Sequence, residues 1–273
     1  MKTALIFFSA TENTARMARV IRHRLERSGV DVDEFDITAW SDRQKQLDLA
    51  PYHTLVFGFP VHSLRAPRVT REWLRTLNGG GKKCALFFTF GGFTVHPAHQ
   101  TTREILREQH FSVVASAEFP GAHTFNHGGW RALADRPNAA DDALAEEFAD
   151  RVLKRFTGED PAILGELDPG IYSAEELDRF EGFRFRMVTQ IPTRAGAPCS
   201  LCGLCEEICP TQAMDATSGT ADPEKCIACL RCLASCPEQA LTINDMSASW
   251  TPKLNLGKTT EDALNAQQGT LYL

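Results

Sequence analysis

The sequence has no long apolar run and no excess of positive charge. No stretch among its 273 residues reaches the roughly 20 apolar residues needed to cross a bilayer, so we expect no membrane span. The 29 Lys and Arg against 35 Asp and Glu give a formal net charge of −6, which argues against nucleic acid as a main partner. Residues 1–14 lack a small-residue cleavage site after their short apolar run. We therefore expect a cytoplasmic protein whose thiols stay reduced.

Eight of the nine cysteines form two copies of one pattern, in which the fourth cysteine of each copy directly precedes a proline. This is the ligand spacing of paired 4Fe-4S clusters, where the fourth cysteine of each run ligates the other cluster. Zinc sites and disulfides are the alternatives, but neither needs a third Cys-x-x step followed by Cys-Pro. The spacing predicts two 4Fe-4S clusters, one held by Cys199, Cys202, Cys205 and Cys236 and the other by Cys226, Cys229, Cys232 and Cys209.

Apolar runs alternate with helical periodicities over the first 156 residues. Strands are predicted at residues 2–8, 30–37, 54–59, 84–90 and 111–119, and helices near 13–28, 67–77, 97–109 and 139–156. This alternation predicts an α/β fold, a doubly wound parallel five-stranded sheet covered on both faces. Since ligands bind beyond the carboxyl ends of such strands, the loops after strands one, three and four are candidate sites.

The loop after the first strand reads Ser9-Ala10-Thr11-Glu12-Asn13-Thr14 and opens directly into a helix. Its hydroxyls, amide and backbone N–H groups suit a phosphate at the positive end of the helix dipole. No Gly-x-Gly-x-x-Gly follows the strand, so a single phosphate is favoured over a dinucleotide pyrophosphate. The alternative is an ordinary helix N-cap.

The Ser-x-Thr-x-Asn-Thr pattern of this loop resembles the phosphate loop of flavodoxins, which bind FMN. The whole arrangement resembles the family that fuses a flavodoxin-like domain to a small α+β, bacterial-type ferredoxin-like domain with two 4Fe-4S clusters. One departure is Glu12, where flavodoxins usually have glycine. We expect its carboxylate to point away from the phosphate and Arg16, one turn along, to offset its charge.

The resemblance implies FMN as a cofactor and places its binding residues in three loops. These are Ser9, Thr11, Glu12, Asn13, Thr14 and Ala15 after strand one, Phe59, Pro60, Val61 and His62 after strand three, and Thr89, Phe90, Gly91, Gly92 and Phe93 after strand four. Phe59, His62 and Phe93 are the candidates for an aromatic face against the flavin ring, with ordinary loop or core aromatics as the alternative.

The expected organisation is a flavodoxin-like FMN-binding domain over 1–156, a linker with a helix over 157–194, a two-cluster ferredoxin domain over 195–243 and a tail over 244–273. A capping box at Ser173-x-x-Glu176 predicts that the linker helix runs to about Thr189. The glycine-rich, aromatic loop at 119–130 is expected to cover the flavin or to contact the ferredoxin domain, unless it is a plain surface loop. No role is indicated for the tail, and nothing in the sequence sets the oligomeric state.

Together these patterns predict an electron-transfer iron–sulfur flavoprotein that exchanges electrons with a donor protein and an acceptor protein. No catalytic constellation stands out. The acidic character of the ferredoxin segment favours a basic docking patch on a partner. One alternative is a flavin-dependent reductase of a quinone, a nitro compound or dioxygen fed by the clusters, and another is a ferredoxin on a flavin-free docking domain.

Overall fold

The computed structural model describes residues 1–165, 167, 171–183 and 189–273. Within the first 157 residues it contains five strands and five helices, in which every predicted strand and helix is found and the short second helix is additional. The strands are β1 (Lys2–Phe7), β2 (Asp31–Asp36), β3 (Thr54–Pro60), β4 (Lys83–Phe90) and β5 (Ser112–Pro120). The helices are α1 (Asn13–Arg27), α2 (Trp40–Gln44), α3 (Arg68–Leu74), α4 (His96–Glu108) and α5 (Ala139–Thr157).

The strands form one sheet in the order β2-β1-β3-β4-β5, all parallel, as predicted. The winding reverses between β1 and β3, where Phe7 pairs with Asp36 on one side and with Gly58 on the other. This order is that of flavodoxin-like folds, whose ligand lies at the β1/β3 switch point. The predicted fold class is therefore confirmed.

Helices cover both faces of this sheet, which explains why its central strands read as continuous apolar runs. On one face Met17 and Ile21 of α1 pack with Phe148 of α5. On the other face Trp73 of α3 and Leu106 of α4 belong to a second buried cluster. Two cores thus fix the strand ends, and with them the loops after β1, β3 and β4.

The linker contains α6 (Ala174–Gly182), which opens with the predicted capping box. Ser173 accepts from the backbone N–H of Glu176, and the Glu176 carboxylate accepts from the backbone N–H of Ser173 at 2.8 Å. The predicted continuation of this helix towards Thr189 crosses residues 184–188, which lie outside the described part of the chain.

Short elements build the cysteine-rich segment. They are α7 (Leu204–Glu207), a hairpin of β6 (Met214–Asp215) and β7 (Thr220–Ala221), and α8 (Arg231–Ala234). Thr193 closes the segment through paired backbone hydrogen bonds with Thr242 at 2.9 and 3.0 Å.

The tail returns to the first domain, a role that the sequence did not indicate. It forms α9 (Ser247–Leu256), α10 (Glu261–Asn265) and β8 (Thr270–Tyr272), and β8 adds an antiparallel sixth strand beside β5. The Tyr272 hydroxyl donates to Glu118 Oε2 at 3.1 Å, and the same carboxylate oxygen lies 3.1 Å from His99 Nε2. Within the described ranges, no helix is long and apolar enough to span a membrane.

Candidate functional site

The eight patterned cysteines surround two separate cavities. Cys199, Cys202, Cys205 and Cys236 line one, which is called the outer cavity. Cys209, Cys226, Cys229 and Cys232 line the other, which is called the inner cavity. The structure therefore gathers the cysteines into the two sets predicted from the spacing, with the fourth cysteine of each run crossing to the other set.

The cysteines of each set surround a space rather than a point. Over the described residues, no group of three or more His, Cys, Asp or Glu side chains is close enough to hold a single metal ion. None of the nine cysteines, which include the buried Cys84 in β4, forms a disulfide. Four thiols spread around a cavity suit a multi-iron cluster, which presents several iron atoms to its ligands.

Related backbone conformations occur at equivalent positions of the two repeats. Leu201 and Ala228 have φ of 58° and 50°, and Gly203 and Leu230 have φ of 79° and 58°. The first pair of left-handed residues turns the chain just before the second cysteine of each run and the second pair just after it, so that successive thiols converge. Leu230 adopts a conformation that glycine adopts more easily, and its side chain is almost fully buried against aromatic residues of the first domain.

Backbone N–H groups point at the cysteine sulfurs. Ala213 N donates to Cys209 Sγ at 3.2 Å, Ala240 N to Cys236 Sγ at 3.4 Å and Leu201 N to Cys199 Sγ at 3.4 Å. Such bonds stabilise negative charge on sulfur and so raise the reduction potential of a cluster.

Burial distinguishes the two cavities. Cys209, Cys229 and Cys232 are buried, whereas Cys202 of the outer set is exposed. Burial, followed by the neighbouring Cys229, Cys226 and Cys209, raises the pKa of the Cys232 thiol. Bound iron would reverse this preference, because a coordinating thiol is deprotonated. The inner cavity is thus the shielded site, and the outer cavity opens to solvent.

The loop after β1 lies at the switch point and is held by buried polar contacts. Ser9 N donates to Thr38 Oγ1 at 2.7 Å, and Ala15 N donates to Ser9 Oγ at 3.1 Å. The hydroxyl of Thr14 lies 2.7 Å from that of Thr89 at the end of β4. These contacts bring the first and third candidate loops together at one edge of the sheet.

Glu12 adopts a left-handed conformation, with φ of 67°, at the position where flavodoxins usually have glycine. Its side chain is 74% exposed and lies 3.6 Å from Arg19, so the carboxylate points away from the loop, as expected. The expectation that Arg16 offsets the charge of Glu12 is wrong. The Arg16 guanidinium instead lies 2.8 Å from the Asp142 carboxylate and donates to Pro137 O at 2.7 Å. The Arg16 side chain points towards α5, because the carboxylate of Asp142 faces it there.

The remaining candidate residues have mixed surroundings. Phe59 is fully buried between Phe57 and Phe88 in the core. His62 is buried and pairs through its backbone with Arg65. Pro60 and Val61 are partly exposed where β3 ends, Thr89 and Phe90 are buried, and Asn13 donates through Nδ2 to Ala122 O at 2.9 Å.

The tail and the loop at 119–130 cover the third candidate loop. A Cβ on Gly92, whose φ is 86°, would lie 2.7 Å from Leu264 of α10, and a Cβ on Gly91 would collide with the His123 ring. Phe93 packs edge-on against Trp130, and the Lys253 ammonium lies 4.3 Å from the Phe93 ring centroid. This loop therefore needs glycine at both positions. At Gly91 a side chain would collide with a neighbour, and at Gly92 it would also be strained by the positive φ.

The loop at 119–130 contacts the ferredoxin segment, one of the two roles expected for it. Phe125 and Trp130 share a buried cluster with Leu230 and with Trp250 of the tail. The predicted domains consequently share apolar surfaces in this structure.

Two arginines that sequence analysis did not single out join the inner cavity to the first domain. Arg43 lies near the end of α2. It donates to Ile37 O at 2.7 Å and to Thr38 O at 2.8 Å within the first domain, and to Pro210 O of the cysteine-rich segment. Arg231 Nη1, from α8, donates to Ser9 O at 2.7 Å. Burial lowers the pKa of Arg43, against opposing effects of Asp42 and the thiols Cys209 and Cys229.

Comparison with known protein families gives a match in the cysteine-rich segment. Residues 220–241 match the family model described as a 4Fe-4S binding domain. No curated protein matches the chain.

Among solved structures, an archaeal flavodoxin is 17% identical, with 57% of this chain and 99% of that chain covered and a TM-score of 0.42. Flavodoxin 2 from Bacillus cereus is 17% identical, with 58% and 99% covered and a TM-score of 0.45. The Flv1 flavodiiron core from Synechocystis sp. PCC6803 is 17% identical, with 59% of this chain but only 37% of that chain covered and a TM-score of 0.45. By its own strand order and its matched 4Fe-4S segment, the chain combines a flavodoxin-like α/β fold with an iron–sulfur binding segment.

Proposed function

We propose that this protein is an electron-transfer iron–sulfur flavoprotein, with FMN in the three loops at the sheet edge and a 4Fe-4S cluster in each cysteine cavity. FMN exchanges two electrons together or one at a time, whereas each 4Fe-4S cluster exchanges one, so their junction converts between the two kinds of transfer. The observation that carries this proposal is the contact between the inner cavity and the phosphate loop, made by Arg231 and Ser9.

The residues at the loops fit a flavin nucleotide. Ser9 and Thr14 lie buried at the start of α1, and the backbone at Glu12 adopts a left-handed conformation, which glycine adopts most easily. Gly91 and Gly92 bring backbone close to neighbouring side chains where a larger residue would not fit. These residues would hold the phosphate at the helix end and the ring between the second and third loops.

The cavities have an order relative to the first domain. Ile227 and Cys229 of the inner set belong to the same buried cluster as Phe59 and Phe90 of the sheet. The outer set instead includes the exposed Cys202 and lies beside Leu201, which is 56% exposed. We infer that electrons pass between the flavin site and the inner cavity, and between the inner and the outer cavity. Exchange of electrons with a protein partner then takes place at the outer cavity.

The rim of the outer cavity indicates what kind of partner would dock there. Glu238 lines the cavity, Glu206 and Glu207 directly follow its Cys205 in the chain, and all three are exposed. A donor or acceptor protein with a basic patch around its own cofactor would complement this charge and approach the outer cluster closely.

Cofactor content tests the proposal. Protein purified without oxygen is expected to contain eight irons and one FMN per chain, since each cluster contributes four irons. Its absorbance during stepwise reduction should show separate flavin and cluster changes. Eight irons without flavin, even after FMN is added, would leave the flavin-free alternative. Rapid turnover with quinones or nitro compounds, but not with protein carriers, would favour the reductase alternative.

A further inference from the structure

Arg231 reaches from the second cysteine repeat into the loop that follows β1. It lies between the buried Leu230 and the cluster-binding Cys232, and its Nη1 donates to Ser9 O at 2.7 Å. Its Nε is buried and has no hydrogen-bond partner among the described residues. A charged donor is thus held at the phosphate loop with one N–H group unsatisfied.

Arg231 also differs from the arginines of α1, which pair with carboxylates. Arg16 lies 2.8 Å from Asp142, Arg24 lies 2.7 Å from Asp150 and Arg27 lies 2.6 Å from Glu146. In the described ranges no carboxylate lies within ion-pair distance of Arg231. Arg231 as a whole is partly exposed, but its Nε is buried, and a buried donor left unpaired costs free energy, so an anion within reach of this Nε would be stabilised.

We infer that Arg231 binds the phosphate of FMN, so that the iron–sulfur segment itself completes the phosphate site. This inference rests on the proposed function, because it assigns a residue to the flavin proposed there. The loop supplies neutral hydroxyls and N–H groups, and its one carboxylate, on Glu12, points outwards. Arg231 adds the missing positive charge, and a guanidinium is well suited to phosphate oxygens.

One consequence is that flavin binding and docking of the iron–sulfur segment are coupled. FMN would bridge the two parts of the chain through its phosphate, with Arg231 one residue from a ligand of the inner cluster. Loss of the inner cluster should therefore weaken the binding of FMN more than that of riboflavin, which lacks the phosphate.

The test compares FMN with riboflavin. Flavin-depleted protein with intact clusters is titrated with each, and quenching of flavin fluorescence gives the two Kd values. Arg231→Gln is expected to raise the Kd for FMN about tenfold or more, as loss of a charge-assisted hydrogen bond predicts, and to leave the riboflavin Kd within about twofold. Arg231→Lys should recover part of the loss, because it keeps the charge. Inorganic phosphate should compete with FMN on the native protein and less on Arg231→Gln.

Two control variants separate this effect from general weakening. Arg43→Gln removes another guanidinium that crosses the same boundary and should change both Kd values by a similar factor. Arg68→Gln removes an exposed charge paired with Glu72 at 3.8 Å and should change neither.

The outcomes separate the two levels of the proposal. If native protein binds neither flavin, the proposed function fails. If native protein binds FMN but Arg231→Gln and Arg231→Lys weaken both flavins equally, with iron content unchanged, the assignment of Arg231 is overturned while the proposed function stands. A shift only in the potential of the inner cluster would likewise overturn it and assign Arg231 to that cluster. If Arg231→Gln loses iron, its Kd values cannot be compared, and the assignment is then tested by Arg231→Lys and by phosphate competition on the native protein. The assignment is overturned if Arg231→Lys weakens both flavins equally or if phosphate does not compete with FMN.

Discussion

Replacing Glu12 by glycine should make the protein more stable, because Glu12 has a backbone conformation that L-residues other than glycine adopt at a cost. Its φ is 67°, and that region costs a non-glycine residue about 1–2 kcal/mol. Glycine gives back about 0.5 kcal/mol through the greater freedom of the unfolded chain. The ion pair with Arg19 at 3.6 Å contributes little, since both side chains are largely exposed. The net gain is about 1 kcal/mol.

The matched variant Glu12→Gln removes the charge and keeps the side chain, so it isolates the backbone effect. Thermal unfolding followed by circular dichroism, without oxygen and at constant cofactor loading, should show Glu12→Gly melting about 2–4 °C above the native protein. Glu12→Gln should melt within about 1 °C of it. The reasoning is refuted if Glu12→Gly is no more stable than the native protein, or if Glu12→Gln gains as much.

Three further predictions concern the inner cluster, the outer cluster and the tail. Arg43→Gln removes a partly buried positive charge beside Cys209 and should lower the potential of the inner cluster by about 40 mV, equivalent to about 1 kcal/mol for one electron. An unchanged potential in a redox titration would contradict this. Cys199→Ser should lower the iron content from eight towards four per chain. It should leave the FMN Kd unchanged, because the outer cavity lies away from the phosphate loop. Equal loss of FMN would argue against placing the outer cavity farther from the flavin site than the inner cavity. Tyr272→Phe removes the hydrogen bond to Glu118 and should lower the melting temperature by about 2–4 °C, whereas an unchanged value would show that β8 does not depend on it.

Local patterns in the sequence predict the sheet and the cysteine sets well. Apolar runs identify buried strands because helices cover both faces of the sheet, and the cysteine spacing alone separates the inner from the outer set. The outward direction of the Glu12 carboxylate also agrees with what the departure from glycine predicts, whereas its backbone takes the left-handed conformation rather than the non-glycine conformation expected there. In each case the determining residues are close together in the sequence.

Contacts between distant residues could not be predicted in this way. Arg231 and Ser9 are separated by 222 positions, and Arg43 and Pro210 by 167, and no periodicity links them. The tail pairs with β5 through only three residues, Thr270–Tyr272, too few to form a recognisable strand pattern. Arg16 was assigned to Glu12 by its position on α1, whereas the observed pairing depends on how α5 packs against that helix.

A single-turnover measurement tests most directly whether the flavin and cluster sites form one path within the chain. Oxidised protein receives less than one electron per molecule from a flash-generated reductant, and the flavin and cluster absorbances are followed without oxygen. Electrons first taken up by the clusters are predicted to redistribute to the flavin with a rate constant that does not change with protein concentration. A rate proportional to protein concentration, or no redistribution in protein that contains both cofactors, would contradict an internal path.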